Sequence, residues 1–263
     1  MGSLDRIYSA QRLTMDSSWH IRWGKSSFIM DPWLVGSEID GFSWLNEQWH
    51  TTEPVSISDI PKSEFILITQ SYQDHCHPET IELLDDQLPI LATGKAFQLL
   101  KKSFSGRFIS EISSLESKKP TSINGLNIFS IKPNRNIDPV YYSVLVVDED
   151  HNALFVSPHG FDLSEAEIEI LSDFNIRILM TTMVEFQIPK IMGGKVNPGL
   201  ENAETLAQQL SPDYILNTHD EDKKMKGLIS KLAKVKRPDF SSLKKEGFNF
   251  LESPDYKILE FQF

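Results

Sequence analysis

The stretch from residue 65 to residue 84 constrains the fold of this chain more than any other. It opens with the apolar and β-branched run Phe65–Thr69, which is the pattern of a buried strand. Pro78, followed by apolar residues at helical spacing, predicts a helix that begins at the proline. Between them lies a short loop with four chemically active side chains, Asp74, His75, Cys76 and His77. Because α/β proteins place their chemistry in loops at the carboxyl ends of buried strands, we expect a functional site here.

The elements on both sides of this loop predict a mixed α/β fold. Asn124-Gly125 is a strong signal for a hairpin turn, and Ser164 with Glu167 predicts a helix capping box. Apolar runs predict strands at 90–93, 107–112, 126–131, 141–147, 153–157, 176–183 and 214–217. Helical spacing predicts helices at about 78–87, 94–102, 164–174 and 200–210. Each half of the chain passes from strands to alternating strands and helices.

The first fifty residues predict two further features. Residues 11–30 have the alternation of a small meander, which ends where Pro32 stops strand pairing. Residues 33–50 predict a long irregular loop with four large aromatic side chains, Trp33, Phe42, Trp44 and Trp49. These side chains either line a substrate pocket or cover one edge of the core.

The loop after the buried strand resembles the signature T-H-x-H-x-D-H of the metallo-β-lactamase superfamily. With the signature placed on Thr69, its aspartate and last histidine are retained as Asp74 and His75. Its first two histidines are replaced by Gln70 and Tyr72. The resemblance implies a four-layer αββα sandwich, which we expect to be a single domain over 1–263 with residues 221–263 as an extension packed on it.

The later strand ends resemble the lactonase-like branch of that superfamily. A histidine that normally follows P-x-x is replaced by Asn136, three residues after Pro133. The bridging aspartate of the family falls on His159, and the last family histidine is retained as His219. Asp31 either orients a metal ligand, as the resemblance implies, or caps a turn.

On this resemblance, the first metal position loses its ligands and the second keeps a coherent set, Asp74, His75, His159 and His219. Three imidazoles and a carboxylate favour zinc over Fe²⁺ or Mn²⁺. We therefore expect either one divalent ion, held by these four residues, or no metal. The catalytic candidates that could position substrate or a proton are Asp74, His77, Gln70 and Tyr72. A nucleophilic Cys76 is a further alternative.

Two functions follow as alternatives. The first is a metal-dependent hydrolase, with water as the nucleophile and a small anionic or ester-type substrate. The second is a metal-free pseudoenzyme of the same fold that binds a ligand or a partner. The net charge of −11 disfavours a nucleic-acid partner.

The composition carries three further expectations. The only cysteine, Cys76, excludes an intrachain disulfide, which favours a reducing compartment and hence the cytoplasm. No stretch has the pattern of a signal peptide or of a membrane span. Residues 223–245 hold nine Lys and Arg residues against Asp239 alone, a charge of +8 that leaves −19 on the remainder. Their apolar spacing predicts an amphipathic helix on the outside of the sandwich, with its lysines in solvent.

Overall fold

The computed structural model describes residues 6–134, 141–243 and 247–263. Its first strands are β1 (Tyr8–Arg12), β2 (Trp19–Trp23), β3 (Ser26–Met30), β4 (Glu38–Ile39), β5 (Glu47–Trp49), β6 (Phe65–Ile68), β7 (Ile90–Ala92), β8 (Ile109–Glu111) and β9 (Thr121–Ile123). The later strands are β10 (Leu126–Ile131), β11 (Ser143–Val147), β12 (Asn152–Ser157), β13 (Asn175–Thr182), β14 (Glu185–Gln187), β15 (Lys195–Pro198), β16 (Tyr214–Thr218), β17 (Lys224–Lys226), β18 (Lys234–Lys236) and β19 (Leu259–Phe261). The α-helices are α1 (Pro78–Leu83), α2 (Gly94–Ser103), α3 (Glu165–Leu171), α4 (Leu200–Leu210) and α5 (Ile229–Leu232).

Two large sheets form the middle of the molecule. One has the order β19-β1-β2-β3-β6-β7-β8, and the other has the order β16-β13-β12-β11-β10-β9. In the first, β3, β6, β7 and β8 run parallel; in the second, β12, β13 and β16 do. Parallel neighbours bring their carboxyl ends to one edge, where the following loops meet.

Period-two alternation along the strands explains the four layers. In β6, Phe65 and Leu67 belong to the core between the two sheets, whereas Ile66 and Ile68 belong to a separate core beneath α1 and α2. The second sheet buries its opposite face under α3 and α4. The order helix, sheet, sheet, helix is therefore the αββα sandwich that the resemblance implied.

Local signals in the sequence place several of these elements. The capping box at α3 is present, with the Ser164 hydroxyl accepting from the Glu167 amide and the Glu167 carboxylate accepting from the Ser164 amide. Asn124 and Gly125 both have positive φ, as a two-residue hairpin turn between β9 and β10 requires. Within the described ranges, no helix has the length and apolar content needed to cross a membrane.

The predicted amphipathic helix over 223–245 is wrong. This segment instead forms β17, the one-turn helix α5, β18 and a short 3-10 turn at Phe240–Ser242. Strand β17 joins β5 and β4, and β18 joins β14 and β15, so two small three-stranded sheets form beside the main sandwich. Strand pairing with distant parts of the chain has overridden the helical spacing. Lys244 and Lys245 lie outside the described residues.

The first fifty residues also differ in detail from the prediction. The meander is formed by β1, β2 and β3, and residues 13–18 connect the first two strands instead of forming one. The region 33–50 is less irregular than predicted, because it contains β4 and β5. The single domain with an extension at 221–263 stays a prediction; in that extension, β19 pairs with the edge strand β1.

A buried histidine of β2 provides a test of this packing. His20 is 4% exposed, and burial lowers its pKa to about 4. The unfolded chain, with an ordinary histidine pKa of about 6.5, binds the proton first as pH falls. The contribution of neutral His20 to the free energy of unfolding is therefore present above pH 6.5 and is lost toward pH 4. The loss between pH 7 and pH 5 is about 2 kcal/mol.

We expect His20→Gln to remove this part of the pH dependence in urea unfolding. The matched control is His151→Asn, at an exposed turn position with φ of 62°, a conformation that asparagine tolerates. An unchanged pH dependence in His20→Gln would contradict the assignment.

Candidate metal centre

Three loops bring four side chains to one edge of the sandwich. Asp74 and His75 follow β6 of the first sheet, His159 follows β12 of the second, and His219 follows β16. Because β12, β13 and β16 run parallel, the loops that carry His159 and His219 leave the second sheet at the same edge. His219 has a φ of 56°, a left-handed conformation that is uncommon for residues other than glycine and is frequent at functional sites.

The donor atoms of these four residues lie within 4.8 Å of one another. His75 Nε2 is 3.0 Å from His159 Nε2 and 3.2 Å from His219 Nε2. Asp74 Oδ2 lies 3.6 Å from His75 Nε2 and 3.5 Å from His219 Nε2. The three histidines are buried, and the Asp74 side chain is only 13% exposed.

The opposite ring nitrogens of the histidines contact an outer set of residues. His75 Nδ1 donates to the buried Asp31 carboxylate over 2.7 Å, and His159 Nδ1 donates to Asn197 Oδ1 over 2.6 Å. His219 Nδ1 lies 3.2 Å from the Thr218 hydroxyl. Of the two readings of Asp31, its contact with His75 supports the one in which it orients this side chain. Such outer partners fix the ring orientation and tautomer of metal-binding histidines.

This arrangement fits a divalent cation. When His75 and His159 are neutral and protonated on Nδ1, the Nε2 lone pairs of both rings face a common centre, where one cation could bind both. Bonds of about 2.0–2.1 Å to a tetrahedral zinc ion place donor atoms about 3.3 Å apart. Four of the six separations between donor atoms, at 3.0 to 3.6 Å, are close to that value, and all six lie within 4.8 Å.

The charges around the four donors are strongly coupled. Burial alone would lower the pKa of His75, but the Asp74 and Asp31 carboxylates raise it to about 9. Burial and the nearby His219 and His75 hold the pKa of His159 well below its ordinary value. Burial would raise the pKa of Asp74, yet His75, His219 and Lys223 keep it well below its usual range. Asp74 is therefore a carboxylate in this site.

The sequence led us to expect Lys223 on a solvated face. The structure places it beside the centre instead. Its ammonium donates to Asp16 Oδ2 over 3.0 Å and lies 4.0 Å from Asp74 Oδ2. Burial would lower its pKa, but Asp16 and Asp74 raise it above the ordinary value, so Lys223 remains charged. The sequence carried one signal for this role, its position four residues after His219 in the same loop. Asn197 had no such signal.

The other catalytic candidates have three different environments. Gln70 is 1% exposed, and neither of its amide atoms has a hydrogen-bond partner in the described part of the chain. Tyr72 lies on the wall of a cavity that leads to Asp74, His159 and His219. His77 is not brought to the centre, because its Nδ1 caps α1 by accepting from the Thr80 amide and its Nε2 lies 3.2 Å from the Ser37 carbonyl. Asn136 lies outside the described residues.

The alternative nucleophile Cys76 is disfavoured by its surroundings. Its side chain is fully buried among apolar residues beneath α1. Burial, with a contribution from Asp31, raises the pKa of the thiol to about 12. A thiol with this pKa is not a thiolate at neutral pH.

The cavity in front of the centre has a volume of about 990 Å³. Its wall comes from the loop around β5, from β14 and β15, and from the segment after His219. The four aromatic side chains of the loop 33–50 are not among its lining residues: Trp33 is buried against the His50 ring, and Phe42 and Trp44 stack on each other in solvent. Leu45, Asn46 and Gln48 line it instead.

Comparison with known proteins decides the family. The family model for the beta-lactamase superfamily domain matches residues 13–219, which is most of the chain and includes all four donors. The chain belongs to the beta-lactamase superfamily. No curated protein matches the sequence significantly.

Solved structures share the superfamily fold at low sequence identity. A metallo hydrolase named Igni18 from the archaeon Ignicoccus hospitalis has a TM-score of 0.66 at 13% identity, covering 98% of this chain and 99% of that one. The isothiocyanate hydrolase from Delia radicum gut bacteria has a TM-score of 0.62 at 14% identity, covering 81% and 85%. The protein YhfI from Bacillus subtilis has a TM-score of 0.61 at 12% identity, covering 98% and 100%.

The hydrogen bond from His75 to Asp31 generates a prediction for metal affinity. Asp31 has a φ of 47°, which asparagine tolerates, so Asp31→Asn changes the charge and one acceptor with little backbone strain. Loss of an outer partner of a metal ligand typically weakens binding 10–100-fold. We expect a loss in this range for zinc, measured by competition with a chromogenic chelator.

Asp148→Asn is the matched control. Asp148 is also a buried carboxylate that accepts several hydrogen bonds, but it lies just before β12, at the opposite end of this strand from His159. Equal zinc affinity in Asp31→Asn and Asp148→Asn would contradict the role of Asp31.

Proposed function

We propose that this protein is a metal-dependent hydrolase that holds one divalent ion with Asp74, His75, His159 and His219. The ion that we propose is zinc. The observation that carries the proposal is the inward convergence of three Nε2 atoms whose rings are oriented by outer contacts. These atoms and an oxygen of Asp74 lie within 4.8 Å of one another, which supports one shared cation.

The loss of the first two signature histidines supports one ion instead of two. The residues at their positions, Gln70 and Tyr72, are poor zinc ligands.

The proposed chemistry divides between the ion and the protein. When bound, the ion would supply Lewis acidity to a substrate oxygen and to water. The protein residues would hold the geometry: Asp31 and Asn197 fix the rings of His75 and His159, and Asp74 supplies negative charge as a carboxylate. Tyr72 and Gln70 are the residues that we propose for positioning substrate. We do not propose His77 for this role, because its side chain caps α1.

The proposed substrate is a small molecule with a hydrolysable bond. A cavity of about 990 Å³ is at the upper end of the range for small-molecule sites. Hydrolase activity on small molecules is also what the name of the isothiocyanate hydrolase states for that protein. We place the activity in the cytoplasm and without a nucleic-acid partner, since the net charge is −11 and the only cysteine, Cys76, is a free thiol.

The rival function is a metal-free pseudoenzyme that uses the same cavity for binding. The replaced histidines at Gln70 and Tyr72 favour it, because they break the signature that defines a two-metal site. Treatment of purified protein with a chelator distinguishes the two proposals. Only the metal-dependent hydrolase has an activity that the chelator would remove.

Hydrolysis of a panel of esters, lactones and phosphate esters tests the proposal. We expect activity toward at least one class, loss of that activity with EDTA and recovery with zinc. His219→Ala should lower kcat/KM at least 100-fold because one of four ligands is removed, while Gln70→Ala should still respond to zinc.

His151→Ala controls for the loss of a histidine that is exposed and remote from the centre. Activity that resists EDTA, or that survives in His219→Ala, would rule out the metal-dependent mechanism. If neither the wild type nor Gln70→Ala binds zinc, the result would favour the pseudoenzyme.

A further inference from the structure

The cavity wall has a chemical character that narrows the substrate class. Three segments build most of it: residues 40–48, 184–197 and 223–237, which we call the wall segments. Apolar side chains recur on all of them, among them Val184, Phe186, Ile188, Met225, Ile229 and Val235. A site for a small, highly charged substrate would not need an apolar wall of this extent.

Strand pairing holds this wall in place. Phe186 of β14 is paired with Val235 of β18, and Met225 of β17 is paired with Gln48 of β5. The amide of Ile229 also donates to the Leu45 carbonyl over 2.9 Å. The apolar surface is therefore a fixed part of the fold, and a ligand does not have to order it.

The cations on the described part of the wall are mostly neutralised within the protein. Lys195 pairs with Glu185 at 3.1 Å, Arg237 with Asp222 at 3.0 Å and Lys223 with Asp16 at 3.0 Å. Of the lining cations described, this leaves Lys190, which lies on an exposed turn. The wall thus lacks the cluster of available cations that binds phosphate groups.

Exposed apolar side chains are concentrated on the same three segments of the chain. Eleven large apolar residues are exposed in the described chain, and six of them belong to the wall segments: Phe42, Trp44, Ile191, Leu228, Leu232 and Val235. Ile191 is 96% exposed and Trp44 is 64% exposed. Val235 is both exposed and part of the cavity lining, so the apolar wall reaches the surface of the protein at this residue.

We propose that the cavity binds a hydrocarbon chain, so that the substrate is an ester-type compound with an aliphatic acyl or alkyl group several carbons long. The chain lies against the wall segments, and the hydrolysable head reaches Asp74, His159 and His219, which line the inner part of the same cavity. This inference rests on the proposed function for the head group alone. Binding of the chain needs no metal.

A series of neutral, non-hydrolysable probes tests the inference without catalysis. Binding of 1-hexanol, 1-octanol and 1-decanol is measured by calorimetry, below their solubility limits, on EDTA-treated wild type and on His75→Ala. We expect the affinity to rise with chain length, by up to about fourfold per fully buried methylene. The same rise in both proteins would show that the chain site does not depend on the metal.

Val235→Asp and Leu99→Asp form a matched pair, because both wild-type side chains are 42% exposed and only Val235 lines the cavity. We expect Val235→Asp to weaken 1-decanol binding at least tenfold and Leu99→Asp to leave it unchanged. Circular dichroism of both variants checks that they fold, and the chain-length series on the wild type stands without either.

Affinity that does not rise with chain length in the wild type would overturn the inference. So would equal weakening in Val235→Asp and Leu99→Asp, since that would indicate adsorption elsewhere on the surface. A failure of zinc binding with the chain-length series intact would contradict the proposed hydrolase and leave the chain site standing.

Discussion

The packing of two sheets against each other is the constraint on which the site depends. Trp19, Phe28 and Leu67 from one sheet meet Val144 and Met180 from the other in a single buried core. This core fixes the separation of the two sheets, and the parallel strands fix which ends of the sheets carry the functional loops. Asp74 and His75 from the first sheet can therefore meet His159 and His219 from the second, although these residues are far apart in the sequence.

The electrostatics of the centre follow from this geometry. Burial costs free energy for each polar group, and the fold meets that cost with specific partners: Asp31 for His75, Asn197 for His159 and Asp16 for Lys223. The inward Nε2 atoms and Asp74 are the groups that a bound cation would contact. The apolar side chains of the wall segments need no such partners, so one cavity combines the polar centre with apolar lining.

Sequence patterns predicted many of the strands and helices because these patterns are local, and the resemblance to the superfamily implied their arrangement as a sandwich. Alternation along β6, the capping box at Ser164 and the hairpin at Asn124-Gly125 each depend on residues close in the chain. The resemblance to the superfamily, carried by Asp74 and His75 and by the strand ends before His159 and His219, named the four residues that the structure brings together.

The parts that failed depend on contacts between distant segments. Residues 224–236 pair with β5 and β14, which lie far away in sequence, so helical spacing was a poor guide there. The ion pair of Lys223 with Asp16 and the contact of Asn197 with His159 also join distant positions. No single-sequence pattern specifies such pairs. The predicted exposure of Lys223 was wrong for the same reason. Its carboxylate partners come from other loops.

Elemental analysis of freshly purified protein, with protein concentration determined independently, tests the central claim most directly. The account predicts one equivalent of divalent metal per chain in the wild type and in Gln70→Ala, and none in His75→Ala. Two equivalents in the wild type, or one equivalent that persists in His75→Ala, would contradict it.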